Sequence, residues 1–269
     1  MQWILQHFDD MEKLAHALDR LGIAYSWHKV VPFVGDLIPE PEVRNPNAVV
    51  LFGAYTLWRY ARAKGLSPGV FTIRPFVEET AWGAYLLNGS GAKFCTVREI
   101  AEGVGDGAQG DGKLGDEGRL WFIRPVADGK EQAGKVRPAS EILEIARKVM
   151  TLDPDEIPHG SLRPETRMML TQPVRILKEW RIWIVAGEVV TFSLYKEGDR
   201  VTYRPEIDAN ALAFAQDLAR LNPGYATAYV MDICRTETSL KLLETNCINA
   251  AGFYAADVMK LAAAIDALG

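Results

Sequence analysis

Residues 47–53 read NAVVLFG, a run that is apolar from Ala48 to Phe52 and leaves no polar position to turn toward water. A strand of that kind is buried on both faces, which is the habit of a parallel sheet layered between helices. The surrounding residues agree. WILQHF (3–8) reads as a strand, and Asp9 with Glu12 forms a capping-box pattern ahead of the helical spacing MEKLAHALDRL, which Gly22 ends. IAYSWHKVV (23–31) is a second strand. After NAVVLFG come the helix AYTLWRYARAKG and a further strand at VFTI (70–73). Strands and helices in alternation imply a parallel sheet with helices on both faces. Residues 1–85 are therefore expected to form a small α/β domain.

Beyond it the pattern changes. A helix is expected around Thr80–Leu87 and another after Thr96, with Glu99 at the capping-box position. VGDGAQGDGKLGDEG (104–118) carries six glycines and four acidic residues, too many to pack a core, and reads as a surface loop. Its glycines lack the GxxxxGK[ST] order of a Walker loop. RLWFIRPVADGKEQAGKV (119–136) is a hairpin turning at Asp128-Gly129, and Ser140 caps the helix EILEIARKVM. Residues 151–168 read as a connector. Three strands come next, QPVRI, KEWRIWIVA and EVVTFSLY, the last two joined by a tight turn near Gly187. A helix over 208–221, a second hairpin from YATAYVMDIC and SLKLLETNC, and a C-terminal helix from about Ala255 complete the chain.

Composition excludes several classes. No apolar run approaches the ~20 residues of a membrane-spanning helix. The N-terminus, MQWILQHFDDMEK, has no basic leader and reaches acidic residues too early for a signal peptide. A net charge of −5 does not suit a general nucleic-acid binder. Cys95, Cys234 and Cys247 form no CxxC pair, so neither a zinc site nor a disulfide framework is indicated, and a reduced, cytoplasmic setting is expected. His7, His16, His28 and His159 show no ligand spacing, and GSGAK (89–93) is not a nucleophile elbow.

Three groups of residues carry chemistry. If YVMDIC pairs with LKLLETN, Asp232 and Glu244 come close, and Glu244 and Asn246, two apart, share a face. Their neighbours are apolar, and two buried carboxylates would cost several kcal/mol per ion without a cation. Three hard oxygen donors suit Mg2+. Arg124 lies inside the apolar strand WFIRPV, where an unpaired guanidinium is expensive, so something anionic should face it. Lys130 lies across the turn from it, and a hairpin with cations on one side can fold over a polyphosphate, although cations in hairpins are most often surface residues. Glu179 and Arg181 share one face of EWRIWIV, either as an ion pair filling the sheet or with Arg181 neutralising charge on a transferring phosphoryl group.

The order of these motifs resembles the ATP-grasp superfamily, and within it the short phage- and bacteria-associated clade named for an arginine and two lysines. QPVRILKEWRIWIVAGEVVTFSLY is similar to the segment running from the adenine-contacting hinge into an acid-x-Arg strand. YVMDIC with LKLLETN is similar to the terminal metal motif, FIRPVADGKEQAGKV to the phosphate-covering hairpin, and NAAGFY to the clade's tail. Two departures stand out: many relatives have lysine where Arg124 stands, and the common Asn-x-x-Pro-Gly ending is here Asn246-Cys247-Ile248-Asn249-Ala250.

The resemblance implies a mixed α/β (α+β) ATP-grasp fold behind a Rossmann-like pre-ATP-grasp domain, divided as 1–85 and 86–269, the latter with lobes of about 86–170 and 171–269. It further implies ATP and Mg2+ as cofactors. Asp232, Glu244 and Asn246 would bind the metal, Arg124 and Lys130 the phosphates, and Gln172 to Val174 the adenine. Glu179 counts with the nucleotide-binding residues, and Arg181 would hold the γ-phosphate or the acyl phosphate. The implied reaction joins a carboxylate to an amine, on small-molecule or peptide substrates. A small-molecule kinase and a non-catalytic ATP-binding module are the alternatives. No membrane or nucleic-acid partner is expected.

Overall fold

A computed structural model of the chain describes every residue except 33, 55, 90, 104–113, 128–133, 154 and 159–160. The first segment comprises β1 (Gln2–Gln6), α1 (Asp10–Leu21), β2 (Tyr25–Val30), β3 (Leu37–Ile38), β4 (Val49–Phe52), α2 (Leu57–Ala63) and β5 (Pro68–Gly69). Its sheet runs β3-β2-β1-β4-β5, parallel throughout except for the antiparallel edge strand β3. All four residues of β4 are buried, as the apolar run requires. Gly22 ends α1 in the left-handed conformation, but Asp9 is itself helical and its carboxylate caps nothing. The expected strand at VFTI is absent. Edge pairing falls to Pro68–Gly69 instead, and the Phe71 N–H donates to the Asn249 side chain (2.8 Å) rather than to a strand.

The middle segment holds β6 (Lys93–Thr96), α3 (Val97–Glu102), β7 (Leu120–Pro125), β8 (Lys135–Pro138), α4 (Ala139–Met150) and β9 (Arg167–Thr171). These strands form an antiparallel sheet in the order β6-β9-β7-β8. Its core joins Trp121, Ile123, Met168 and Leu170 to Val97 and Ile100 of α3 and to Ile142 and Ala146 of α4. The Thr96–Glu99 capping box is complete. The hairpin of β7 and β8 forms as expected, while its turn at Asp128-Gly129, Lys130, and residues 104–113 of the glycine-rich stretch lie outside the described residues. Three expectations change. Residues Thr80–Tyr85 form a 3-10 helix rather than an α-helix. α4 starts one residue before Ser140, because Pro138 holds the extended cap position. QPVRI is not a strand: pairing with β6 and β7 uses Arg167–Thr171, and Pro173 has no N–H to offer a ladder.

The last segment contains β10 (Lys178–Val185), β11 (Glu188–Glu197), β12 (Arg200–Arg204), α5 (Ala209–Leu221), β13 (Ala228–Arg235), β14 (Leu240–Asn246) and α6 (Val258–Asp266). The antiparallel order is β12-β11-β10-β13-β14. The turn between β10 and β11 is Ala186-Gly187, both at positive φ, the two-residue hairpin loop whose twist matches its strands. One face of this sheet presents Trp183, Val185, Ala228 and Val230, which share a core with Trp3, Leu5 and Phe52 of the first sheet and Leu261 and Ile265 of α6. Met1–Phe76 and Ile176–Gly269 accordingly form one compact unit, and Val77–Arg175 a second. Asn249 ties the ends of the first unit together. Its Nδ2 donates to the Leu51 carbonyl (2.7 Å), its Oδ1 accepts from Phe71 N, and its own carbonyl accepts from Gly53 N (2.9 Å).

Candidate active site

Register on the second large sheet does most of the positioning. β10 pairs with β13 so that Arg181 lies opposite Asp232, and β13 pairs with β14 so that Asp232 lies opposite Glu244 and Val230 opposite Asn246. By the period-two rule Arg181 points to the face of Trp183, and Asp232 to that of Val230. The polar group therefore sits where the shared apolar core of that face ends. Arg181 forks onto Asp232, with Nε donating to Oδ1 (2.9 Å) and Nη2 to Oδ2 (2.7 Å). Asn246 Nδ2 reaches Glu244 Oε1 (3.0 Å) and Asp232 Oδ2 (3.4 Å). Arg181, Asp232, Glu244 and Asn246 are thus one cluster drawn from three adjacent strands.

Burial sets its electrostatics. Asp232 is wholly inaccessible to solvent. Burial pushes its carboxyl up to about 6, Glu244 adds to the rise, and the Arg181 guanidinium opposes it. For Arg181 the balance is reversed: burial works against its charge, but the charge and hydrogen bonds of Asp232 hold it above the ordinary guanidinium value. At neutral pH the fork is an ion pair. The Arg181 guanidinium also lies over two aromatic rings, 4.8 Å from the centroid of Tyr254 and 5.7 Å from that of Tyr195. The Tyr195 hydroxyl donates to Glu179 Oε2 (2.6 Å), and Lys196 Nζ is 3.0 Å from Glu179 Oε1. Glu179 thereby joins the cluster through Tyr195. Burial holds the Tyr195 phenol well above its usual range, helped by Asp232 and Glu179, so it remains a neutral donor.

The other sequence candidates lie in the Val77–Arg175 unit. Arg124 is half-buried on β7 opposite Met169, and its Nε donates to the Pro125 carbonyl (3.2 Å). Gln172 and Val174 stand on the exposed segment after β9, where the Gln172 carbonyl accepts from the Thr171 hydroxyl (3.0 Å). Lys130 is outside the described residues.

Sequence reasoning missed Tyr195 and Tyr254. The first had a signal, since Thr191, Ser193 and Tyr195 alternate along one face of β11; the second, in an irregular turn, had none. Among the described residues no group of three or more His, Cys, Asp and Glu is gathered as a metal site. The cluster has two carboxylates, and Asn246 is its third oxygen-bearing side chain. Among those residues too, no helix is long and apolar enough to cross a membrane.

Comparison with protein families matches residues 69–265 to an ATP-grasp domain, that of family 3 in the clade named for an arginine and two lysines. Comparison with curated proteins gives no match. Among solved structures, the D-cycloserine synthetase DcsG aligns with 100% of this chain and 99% of its own, at 13% identity and a TM-score of 0.62. A RimK domain ATP-grasp protein from Sphaerobacter thermophilus covers 99% and 97%, at 11% identity and TM-score 0.59. The ATP-grasp ligase PsnB, complexed with minimal precursor, Mg and ADP, covers 99% and 97%, at 14% identity and TM-score 0.53. At these identities the likeness is one of fold, and that fold is the ATP-grasp fold.

Proposed function

The chain belongs to family 3 of the ATP-grasp clade named for an arginine and two lysines, and from that membership we propose that it is an ATP-dependent, Mg2+-requiring ligase joining a carboxylate to an amine. One observation carries the reading: Arg181, Asp232, Glu244 and Asn246 converge at the end of one sheet face, with their polar atoms 2.7–3.4 Å apart. Two carboxylates and a carboxamide are hard oxygen donors of the kind Mg2+ takes. Asn246 presents Nδ2 to both carboxylates. A half-turn of the amide exchanges it for Oδ1, and oxygens about 3 Å apart match neighbouring ligands of an octahedral ion with bonds of ~2.0–2.1 Å. The residues fit the ion. Glu244 supplies more of the negative charge, because both Asp232 oxygens already accept from Arg181. When bound, Mg2+ neutralises phosphate charge and fixes the polyphosphate for in-line transfer.

The chain's own residues divide the remaining work. Arg181 commits Nε and Nη2 to Asp232, which leaves Nη1 as its donor toward a phosphoryl oxygen. Its charge stays constant across physiological pH and can offset charge developing in transfer. In the second unit Arg124 is the cation placed for phosphate contact, along with Lys130, and Gln172 and Val174 line the adenine site. A free carboxylate is a poor acylating agent. Attack of its oxygen on the γ-phosphorus breaks the bond to the β-phosphate oxygen and yields ADP and an acyl phosphate. The amine nitrogen then adds to the acyl carbon, inorganic phosphate leaves, and loss of a proton from nitrogen completes the amide. No protein nucleophile is needed. Solved relatives of the same fold hold ATP, or Mg and ADP, in keeping with this reading. Purified protein with ATP, Mg2+ and mixed amino acids or peptides is expected to release ADP, and Glu244→Ala to abolish the release. A variant as fast as the parent would remove Glu244 from the account.

A further inference from the structure

Tyr254 has a backbone that its side chain does not favour. Its φ is +50°, a left-handed conformation suited to glycine or asparagine and uncommon for an aromatic residue. The other described non-glycine residue at positive φ, Ala186, is explained by its two-residue hairpin turn. Tyr254 instead occupies the second position of a turn closed by the Ala256 N–H on the Phe253 carbonyl (2.9 Å). That turn is fastened to β11, with Ala255 N donating to Ser193 Oγ (3.2 Å) and Asp257 N to Thr191 Oγ1 (2.8 Å). Ser193 and Thr191 are buried, and Lys13 Nζ donates to the Tyr254 carbonyl (3.3 Å). The next residue of β11 on that face is Tyr195, whose ring stacks on that of Tyr254 at 5.2 Å, with Tyr203 of β12 stacked 4.9 Å from Tyr254. All of this aims one ring at one partner, the Arg181 guanidinium.

Strain kept by this many contacts at the edge of a polar cluster asks for a reason beyond chain direction. A turn alone would be served better by glycine or asparagine. We infer that Tyr254 is a positioning residue, whose ring holds the Arg181 guanidinium in the plane that forks onto Asp232 and so orients the Asp232 carboxylate toward Glu244 and Asn246. The effect on turnover rests on the ligase reading above; the effect on Arg181 does not.

The test uses the full chain with nitrogen-15-labelled arginine. The Arg181 Nε–Hε signal is assigned by its loss in Arg181→Lys, and its hydrogen exchange is measured in the parent protein and in Tyr254→Phe, Tyr254→Asn and Tyr254→Gly. The last two accept the left-handed backbone, so one carries the comparison should the other fail to fold. Phenylalanine keeps the ring and is expected to match the parent. Asparagine and glycine are expected to speed exchange roughly tenfold, within the range that a desolvated cation–π contact is worth. In ADP release they should lower kcat by a similar factor while KM for ATP moves less than about threefold. Parental exchange in the asparagine or glycine variant overturns the inference, as does a phenylalanine variant that exchanges as fast as they do. If the parent releases no ADP, the ligase reading fails and the exchange measurement alone decides the role of Tyr254.

Discussion

Replacing Arg181 with methionine removes the guanidinium while keeping most of the side-chain volume, and the surroundings of Asp232 dictate the consequence. Asp232 is wholly buried and takes both of its short hydrogen bonds from Arg181. Taking away one partner of such a pair leaves an uncompensated buried charge, at about 3–5 kcal/mol. The loss must depend on pH. In the folded protein the Asp232 carboxyl is raised from 3.8 to about 6, so the folded state binds more protons than the unfolded chain between those values. The stability this group contributes is complete below about 3.8 and is lost as pH rises through about 6. Arg181 is one of the forces holding that value down, so its removal raises the value further and carries the loss to higher pH. Near pH 5 Asp232 is protonated in both proteins, and Arg181→Met should cost about 1 kcal/mol, the worth of ordinary hydrogen bonds. At pH 8 the cost should reach about 3–5 kcal/mol. Urea unfolding at pH 5, 6.5 and 8 in EDTA reads this directly, provided m is unchanged. Adding Asp232→Leu should recover most of the pH 8 loss, since removing both partners of a buried pair is far milder than removing one. A cost independent of pH, or a double variant as unstable as the sum of the singles, would refute the reasoning.

Two further substitutions probe the frame that holds the cluster. Asn249→Ala strips the partners from the Leu51 carbonyl and the Phe71 N–H, both bonded to the buried Asn249 side chain, and is expected to cost about 2–4 kcal/mol in denaturant unfolding, at 1–3 kcal/mol per orphaned group. A loss below 1 kcal/mol would mean that water replaces the amide. Gly53→Ala would place a methyl group 2.4 Å from Gln6 Cβ and 2.9 Å from Leu57 Cδ1, an overlap expected to cost about 1–3 kcal/mol. A variant as stable as the parent in the same assay would show that this turn yields freely.

Much of the fold was legible because local patterns and tertiary needs agree. The apolar run at 49–52 could only be a covered strand, and the Thr96–Glu99 box and the Gly22 stop form as local chemistry dictates. The hairpin of β13 and β14 comes from two apolar strands around a polar turn, and with it the meeting of Asp232, Glu244 and Asn246. Misses occurred where distant partners decide. VFTI has the composition of a strand, but Phe71 gives its N–H to Asn249, 178 residues away. QPVRI yields its place to the segment before it because Pro173 interrupts the ladder. Spacing along the chain sets Arg181 beside Glu179 on its own strand, whereas its partner comes from β13 through cross-strand register, which no such spacing reveals. Tyr254 was invisible for a similar reason: its ring reaches Arg181 only because a turn is fastened to β11 by hydrogen bonds spanning more than sixty residues.

The central claim is that Asp232, Glu244 and Asn246 bring their oxygens together on a divalent cation held against nucleotide phosphates. Crystals grown with ADP and Mn2+ test it through anomalous scattering at the manganese edge. The account predicts a peak between the three side chains and in contact with the phosphates, with the Asn246 amide turned to present Oδ1. A manganese peak bound to the nucleotide elsewhere, with Glu244 and Asn246 still hydrogen-bonded to each other, would contradict it.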